Sequence, residues 1–337
     1  MRASIYPQFK LFMVAVLAGM MVFGSVVSIS AQAILAGDRS VPVEAKNGMV
    51  VTSHTLATQV ALDVLKKGGN AVDAAVTAGF ALAVTQPRSG NIGGGGFMLV
   101  SSEEKKEVVA IDYRETAPAA ATRDMFLGPD GEVDPQLSRY SHISAGVPGT
   151  VAGFALALEK YGTITLAEAL APAIELAANG FEVTPRFAKG VKSKADILFQ
   201  FETGKKKFLK ADGGFYEPGD IYRQPHLAKT LQRIAQEGTK GFYEGETARR
   251  IADEMARGGG LVDLESLASY EVDVREFTVE PTSRVHLDLA VYRSVDSDGW
   301  ISADFHVHAE PSHDSGISLA DRVRTMASEG VEFFSST

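Results

Sequence analysis

The chain has 337 residues, of which 45% are hydrophobic and 22% charged, as in globular proteins with one large domain or two ordinary ones. Its net charge of −9 argues against a nucleic acid partner, because phosphate-binding proteins usually carry a basic face. The lack of cysteine excludes disulfides, thiolate catalysis and cysteine metal sites.

The first 33 residues predict an export signal. Arg2 and Lys10 supply positive charge, and the run from Leu11 to Val27 is apolar and uncharged. Small residues in an A-x-A arrangement follow, which places the cleavage after Ala33. The alternative is an uncleaved membrane anchor, although the run is short for a span of roughly 20 residues. We therefore expect an exported bacterial protein, periplasmic or secreted, that meets the membrane only through this signal.

Two helices are predicted next. Apolar residues at helical spacing form one face of the first, which ends at Gly68-Gly69. Asn70 is a candidate N-cap for the second, which runs from Ala71 to Val84 and ends before Pro87. Its many alanines predict close packing in the interior.

A cluster of four glycines, Gly93–Gly96, precedes two predicted strands, Phe97–Val100 and Val108–Asp112. The short charged turn between the strands makes them antiparallel neighbours. Arg114 follows the second strand and is suited to grip a carboxylate through two parallel hydrogen bonds. The combination predicts a pocket for a small acidic molecule. The glycines are interpreted as packing residues, since no phosphate-loop Lys and Ser/Thr follow them.

The rest of the chain to residue 270 reads as a polar stretch followed by helices. Pro172 is expected to kink or divide one of these helices. Helices that flank hairpin strands predict an α/β layered domain. The predicted helical segments are Val151–Lys160, Thr165–Ala178, the basic stretch Arg186–Asp212, His226–Glu237, Thr247–Arg257 and Asp263–Tyr270.

Five motifs, in order and spacing, resemble the large subunit of γ-glutamyltranspeptidases. The resemblance covers about Val41 to Glu276. It implies an N-terminal nucleophile hydrolase fold with two stacked sheets between helix layers (α/β/β/α), here incomplete because only the large-subunit part is present. The motifs are GGNAVDAAVTAGFALAVTQP, GNIGGGGFMLV, DYRETAP, GVPGTVAGF and LAPAIELAANGFEV.

The resemblance also implies an activity. Enzymes of this family pass the γ-glutamyl group of glutathione or related amides to water or to an amino acid. Their nucleophile is a threonine exposed by self-cleavage, with its own α-amine as the base, and no cofactor is implied. The arginine of DYRETAP, here Arg114, would bind the α-carboxylate of the glutamyl group. From the residues alone, the alternative is a surface arginine paired with Asp112 or Glu115.

The resemblance stops near Glu276, and the chain contains no Thr-Thr pair where self-cleavage would occur. Thr150, Thr163 and Thr165 belong to the large-subunit pattern and cannot replace the nucleophile. We therefore expect a γ-glutamyltranspeptidase (glutathione hydrolase) homologue truncated before the nucleophilic threonine, without its small subunit, with no catalytic residue and inactive alone. An alternative is a non-catalytic protein that binds γ-glutamyl compounds.

Residues 277–337 are predicted to be a short α/β fragment. From Asp298 onward they resemble the start of polymerase-and-histidinol-phosphatase (PHP) type metal-dependent hydrolases. His306 and His308 lie two apart on a predicted strand, so both imidazoles face one side and suit a divalent metal such as Zn²⁺ or Mn²⁺. This gives a second alternative, an exported metal-dependent hydrolase fragment. Against it, the two histidines would bind no metal stably if the site is unfinished.

The sequence therefore predicts a signal peptide (1–33), a transpeptidase large-subunit-like domain (34–276) and a metal-hydrolase fragment (277–337). A gene fusion or deletion, two genes joined in sequence assembly, or a degenerate protein would each produce this arrangement.

Overall fold

The computed structural model describes residues 45–102 and 104–277. The chain divides after Gly48 into two units, and the described helices and strands all belong to the unit that begins at Met49. The predicted signal peptide lies outside the described residues, as does the predicted 277–337 fragment apart from Phe277.

The described chain contains both helices and strands, which confirms the α/β prediction. In chain order the elements are α1 (Thr55–Lys66), α2 (Ala71–Thr85), β1 (Phe97–Ser102), β2 (Glu107–Asp112), α3 (Pro135–Tyr140), a 3-10 turn (His142–Ser144), α4 (Thr150–Tyr161), α5 (Leu166–Asn179), β3 (Phe181–Glu182), α6 (Pro185–Ser193), α7 (Ala195–Leu198), α8 (Glu202–Phe208), β4 (Ile221–Tyr222), α9 (Pro225–Glu237), α10 (Lys240–Tyr243), α11 (Gly245–Gly258), α12 (Leu264–Ala268) and β5 (Asp273–Phe277).

Helix α2 begins where the sequence predicts. The side-chain oxygen of Asn70 accepts hydrogen bonds from the N–H groups of Val72 (2.9 Å) and Asp73 (3.0 Å). The Asp73 carboxylate in turn accepts from the Asn70 N–H at 2.8 Å. This reciprocal capping box satisfies donors that the first helical turn leaves unpaired. Most of α2 is buried, in keeping with its small side chains.

The central sheet has three antiparallel strands in the order β1-β2-β5, and the predicted β1–β2 hairpin is confirmed. One face of the sheet is buried, and it presents Val100, Val109 and Ile111 to the helices. Phe154 of α4 lies over this face, and its ring meets Phe80 of α2 edge-on at 5.1 Å. One part of the hydrophobic core therefore lies between this face of the sheet and helices α2 and α4, and the same cluster of buried side chains continues through α5 and α9.

The opposite face of the sheet is open in the described part of the chain. Phe97 and Leu99 on β1 are 55% and 73% exposed, although both are large apolar side chains. Of the two stacked sheets that the family resemblance implies, the described residues form one three-stranded sheet and a separate two-stranded pair, β3 with β4.

Helix α5 corrects one of the two expectations for Pro172, the division of the helix into two pieces. Pro172 lies inside α5, which is a single helix of 14 residues and is not divided in two. The helix has its own capping box, in which Thr165 and Glu168 bond each other's main-chain N–H groups. Its inner face, which includes Ala169 and Leu170, is fully buried. Cap and burial together outweigh the hydrogen bond that proline removes.

Several short elements were not predicted from the sequence. Helix α3 falls in the stretch read as polar loop, and strands β3 and β4 have two residues each. The basic stretch Arg186–Asp212 is helical as predicted, but in three short helices, α6 to α8. Strand β5 pairs along β2 and ends at Phe277, so the domain boundary predicted after residue 276 falls within this strand.

Candidate active site around Arg114

Arg114 lies just beyond the end of β2, between two points where the main chain is paired. Tyr113 and Gly96 extend the β1–β2 ladder with N–H···O bonds of 2.9 and 3.2 Å. Thr116 and Val147 form an isolated bridge with bonds of 2.8 and 3.2 Å. Arg114 and the residue after it span the gap between these pairs.

Two side chains hold the main chain of Arg114 in that gap. The Arg114 N–H donates to the Asp112 carboxylate at 2.9 Å. The Tyr270 hydroxyl donates to the Arg114 carbonyl oxygen at 2.8 Å. Both peptide groups that flank the Arg114 Cα are therefore tied to a side chain, and this fixes the direction in which the arginine leaves the backbone.

The glycines allow other main-chain segments to approach this point closely. A Cβ atom on Gly95 would lie 2.4 Å from the Tyr113 carbonyl oxygen and 2.7 Å from the Glu115 nitrogen. A Cβ on Gly149 would lie 2.0 Å from the Tyr270 hydroxyl. Cβ atoms do not approach other atoms so closely, so only glycine fits either position. For Gly95 this confirms the interpretation of the glycine cluster as a packing element.

The Arg114 side chain is 30% exposed. Its Nε lies 3.6 Å from Glu115 Oε2, and its guanidinium carbon lies 5.9 Å from the centre of the Phe97 ring. This is the ion pair with Glu115 that the surface-arginine alternative expects, whereas Asp112 bonds the main chain. The role of Arg114 in carboxylate binding stays a prediction.

Glu115 adds a negative charge to the same place. Its Oε2 atom is buried and has no hydrogen-bond partner within the part of the chain that the structure describes. A buried carboxylate oxygen without a hydrogen bond is costly, unless a further donor reaches it. From the sequence, Glu115 was predicted only as a counter-ion for Arg114, on the basis of its neighbouring position in DYRETAP.

A cavity of about 350 Å³ opens beside these two residues. It combines one cation and one carboxylate with an apolar wall. Such a lining suits a small molecule that carries a carboxylate, an amine and an apolar chain. The lining residues are 114–118, Ala121, Met125 and 143–146.

A hydrogen bond joins the residue next to one part of the cavity lining to another helix. His142, next to the lining residues 143–146, places Nε2 3.1 Å from Glu254 Oε1 on α11. Arg257 and then His142 hydrogen-bond Glu254 and lower the pKa of its carboxyl to about 2. The edge of Phe201 also contacts the His142 ring. This hydrogen bond was not predicted, because its partners are far apart in the sequence.

His306 and His308 lie outside the described residues, so the predicted metal site stays a prediction. Between residues 45 and 277, Glu103 apart, no group of three or more His, Asp or Glu residues is arranged to hold a metal ion. Over the same residues, no helix is both long and apolar enough to cross a membrane.

The chain is similar to known proteins in sequence and in fold. The family model for gamma-glutamyltranspeptidase matches residues 57–303. The glutathione hydrolase proenzyme of Escherichia coli (strain K12) is 50% identical over 231 residues, which are 68% of this chain and 40% of the relative. The crystal structure of Helicobacter pylori gamma-glutamyltranspeptidase superimposes with a TM-score of 0.67 at 46% identity, covering 69% of this chain and 67% of that one. The enzyme from Pseudomonas nitroreducens, complexed with L-DON, gives a TM-score of 0.64 at 41% identity, covering 69% and 67%.

The chain belongs to the γ-glutamyltranspeptidase family. Its described part has the architecture of the large-subunit side of an N-terminal nucleophile hydrolase, as the motifs implied. The chain spans about 40% of the length of the curated relatives it matches. The family match ends at residue 303, before His306.

Proposed function

We propose that this chain binds γ-glutamyl compounds such as glutathione, with Arg114 holding the α-carboxylate, and that it serves γ-glutamyl transfer or hydrolysis. One observation carries the proposal: the arginine of DYRETAP is fixed through both of its peptide groups and lines a cavity of about 350 Å³. A guanidinium held in this way can bind a carboxylate with two parallel hydrogen bonds.

Cleavage of the γ-glutamyl amide needs more than a carboxylate-binding arginine. Amide cleavage requires a nucleophile, a base and donors that stabilise the developing oxyanion. The family supplies the first two from a threonine in its small subunit. We propose that this chain binds its ligand alone but needs a small subunit to react. The expected assay result with γ-glutamyl-p-nitroanilide is therefore no nitroaniline release above background, and clear release by the purified chain would contradict the proposal.

Binding can be tested with two isomeric ligands. L-Glutamine keeps the α-carboxylate and carries a γ-amide, whereas L-isoglutamine carries an α-amide and a γ-carboxylate. Arg114 should distinguish them, so glutamine should raise the melting temperature by linkage and isoglutamine should not. Equal stabilisation by both ligands would exclude the α-carboxylate as the recognised group.

Variants of Arg114 test whether this residue binds glutamine. Arg114→Ala should weaken glutamine binding by about 1.5–3 kcal/mol, on the order of 10- to 150-fold in Kd, since a charge-assisted bond is lost. Arg114→Lys should recover only part of this, because an ammonium lacks the planar fork. Arg250→Ala is the matched control, since Arg250 also pairs with a glutamate, Glu246, but does not line the cavity. Unchanged affinity in Arg114→Ala would refute the assignment.

We also propose export. The support is the sequence of residues 1–33, with its basic start, apolar run and A-x-A site. N-terminal sequencing of the protein from a periplasmic fraction should begin at Ile34. Recovery of an intact Met1 in the membrane fraction would favour the anchor instead.

A metal site at His306 and His308 is a separate proposal, and so is its origin in a PHP-type hydrolase. It is supported by the D-F-H-x-H and H-D-S sequences, which follow the last residue of the family match. Calorimetry with Zn²⁺ and Mn²⁺ should show binding by the wild-type chain and its loss in the double variant His306→Ala/His308→Ala. Equal binding by both proteins would contradict this site.

A further inference from the structure

Tyr270 reaches the candidate site from the far end of the described chain. It lies 156 residues after Arg114, between α12 and β5, and yet its hydroxyl donates to the Arg114 carbonyl oxygen at 2.8 Å. Among the described residues no ladder bond forms at this carbonyl, because the paired main chain resumes only at Thr116.

The Tyr270 ring is itself held in place. It stacks on Tyr243 with ring centres 5.8 Å apart and planes within 6°. The Tyr243 hydroxyl donates to the Pro148 carbonyl oxygen at 2.8 Å, and this ties the pair of rings to the segment that starts α4. The absence of a Cβ on Gly149 leaves the space that the Tyr270 hydroxyl occupies. The hydroxyl is therefore directed at Arg114 by a packed support.

We propose that Tyr270 is a positioning residue for Arg114: by fixing the Arg114 carbonyl, it holds the guanidinium in the orientation that binds a carboxylate. This inference rests on the proposed function of Arg114. The flanking pairs, Tyr113 with Gly96 and Thr116 with Val147, do not involve Tyr270. Loss of the hydroxyl therefore leaves the strand and the bridge intact and loosens the peptide between them. A loosened arginine must be ordered again when ligand binds, which lowers affinity.

The test is Tyr270→Phe, which keeps the stacked ring and removes only the hydroxyl. The matched control is Tyr222→Phe, because Tyr222 is a buried tyrosine whose hydroxyl also donates to a main-chain carbonyl, that of Lys207, at 3.1 Å. Tyr222 does not line the cavity. By calorimetry with L-glutamine, Tyr270→Phe should raise Kd about tenfold and Tyr222→Phe less than about twofold. Equal effects of the two changes on glutamine affinity would overturn the proposal.

A second measurement does not depend on ligand binding. The Nε–Hε signal of Arg114 in a ¹⁵N spectrum of the whole chain is identified by its disappearance in Arg114→Lys. It should shift or broaden in Tyr270→Phe and stay in place in Tyr222→Phe. If the wild-type chain does not bind glutamine, the proposed function fails, and this signal alone decides the inference. A signal unchanged by Tyr270→Phe would then refute the positioning role.

Discussion

Asp73 offers the sharpest test of how this fold is held together. Its carboxylate is fully buried in α2 and accepts four hydrogen bonds. Three come from the loop between α4 and α5: Thr163 N–H at 2.8 Å, Thr163 Oγ1 at 2.6 Å and Ile164 N–H at 3.3 Å. The fourth is the capping bond from the Asn70 N–H at 2.8 Å. One side chain thus joins the start of α2 to the start of α5.

Replacing Asp73 with alanine should cost about 3–5 kcal/mol of unfolding free energy. A hydrogen bond to a charged group contributes about 1.5–3 kcal/mol, and each donor left buried and unpaired costs about 1–3 kcal/mol. The four bonds share one group and water can reach some of the donors, so the sum is not additive. Asp73→Asn should lose about 2 kcal/mol, because an amide keeps one acceptor oxygen and turns its NH₂ toward N–H donors.

Urea denaturation followed by circular dichroism measures the loss. The control is Asp63→Ala, since Asp63 is a solvent-accessible helix residue that bonds Gln59 and lies 3.9 Å from Lys66. It should change stability by less than about 0.5 kcal/mol. If Asp73→Ala loses no more than Asp63→Ala, the carboxylate network does not stabilise the fold and the reasoning is refuted.

The loss should also depend on pH. Burial alone would raise the pKa of Asp73, but the hydrogen bonds from Thr163, Asn70 and Ile164 outweigh burial and lower this pKa below its ordinary value. A lowered folded-state pKa stabilises the protein above the unfolded-state pKa of about 4. That stabilisation disappears as the pH falls through the folded-state pKa. The difference between wild type and Asp73→Ala should therefore be full at pH 7 and shrink below about pH 4.

Four further predictions concern single positions. Gly149→Ala should destabilise the protein by at least about 3 kcal/mol, because its Cβ would lie 2.0 Å from a hydroxyl and 2.1 Å from a carbonyl oxygen. Gly190→Ala, in a helix with nothing within 4 Å of the new Cβ, should instead stabilise it by about 0.5–1 kcal/mol; both follow from denaturant midpoints. Pro172→Ala should raise the unfolding free energy by about 1–2 kcal/mol, because a helical hydrogen bond becomes available, and an unchanged midpoint would count against this. Arg257 is the main cause that lowers the pKa of Glu254 to about 2, so this pKa should rise in Arg257→Ala. In wild type, the stability that the ionised Glu254 contributes should be lost as the pH falls from about 4.3 toward 2. Carboxyl NMR titration can follow both effects.

Helices α1 and α2 could be predicted because their signals are local. Asn70 caps α2 from the adjacent position, and the apolar spacing that defines α1 lies within 12 residues. Strand β5 could not be predicted in this way. Its sequence, DVREF, has few apolar residues, and its place in the sheet comes from pairing with β2 across more than 150 residues of chain. Tertiary pairing of this kind leaves little trace in a short window of sequence.

In the candidate site, too, features with a local sequence signal could be predicted and features set by long-range contacts could not. The position of Arg114 just after a strand could be predicted, because its motif is contiguous and the strand is short and apolar. Its role in carboxylate binding stays a prediction. The contact that supports its main chain could not be predicted, because Tyr270 reaches it from 156 residues away in the sequence. One glycine links the predicted arginine to its unpredicted support. Gly149 has no Cβ, and the Tyr270 hydroxyl lies where that Cβ would be. The glycine can be seen in the sequence, whereas its contact with Tyr270 is seen only in the structure. In this chain the local sequence indicates the arginine, and contacts between distant segments set its orientation.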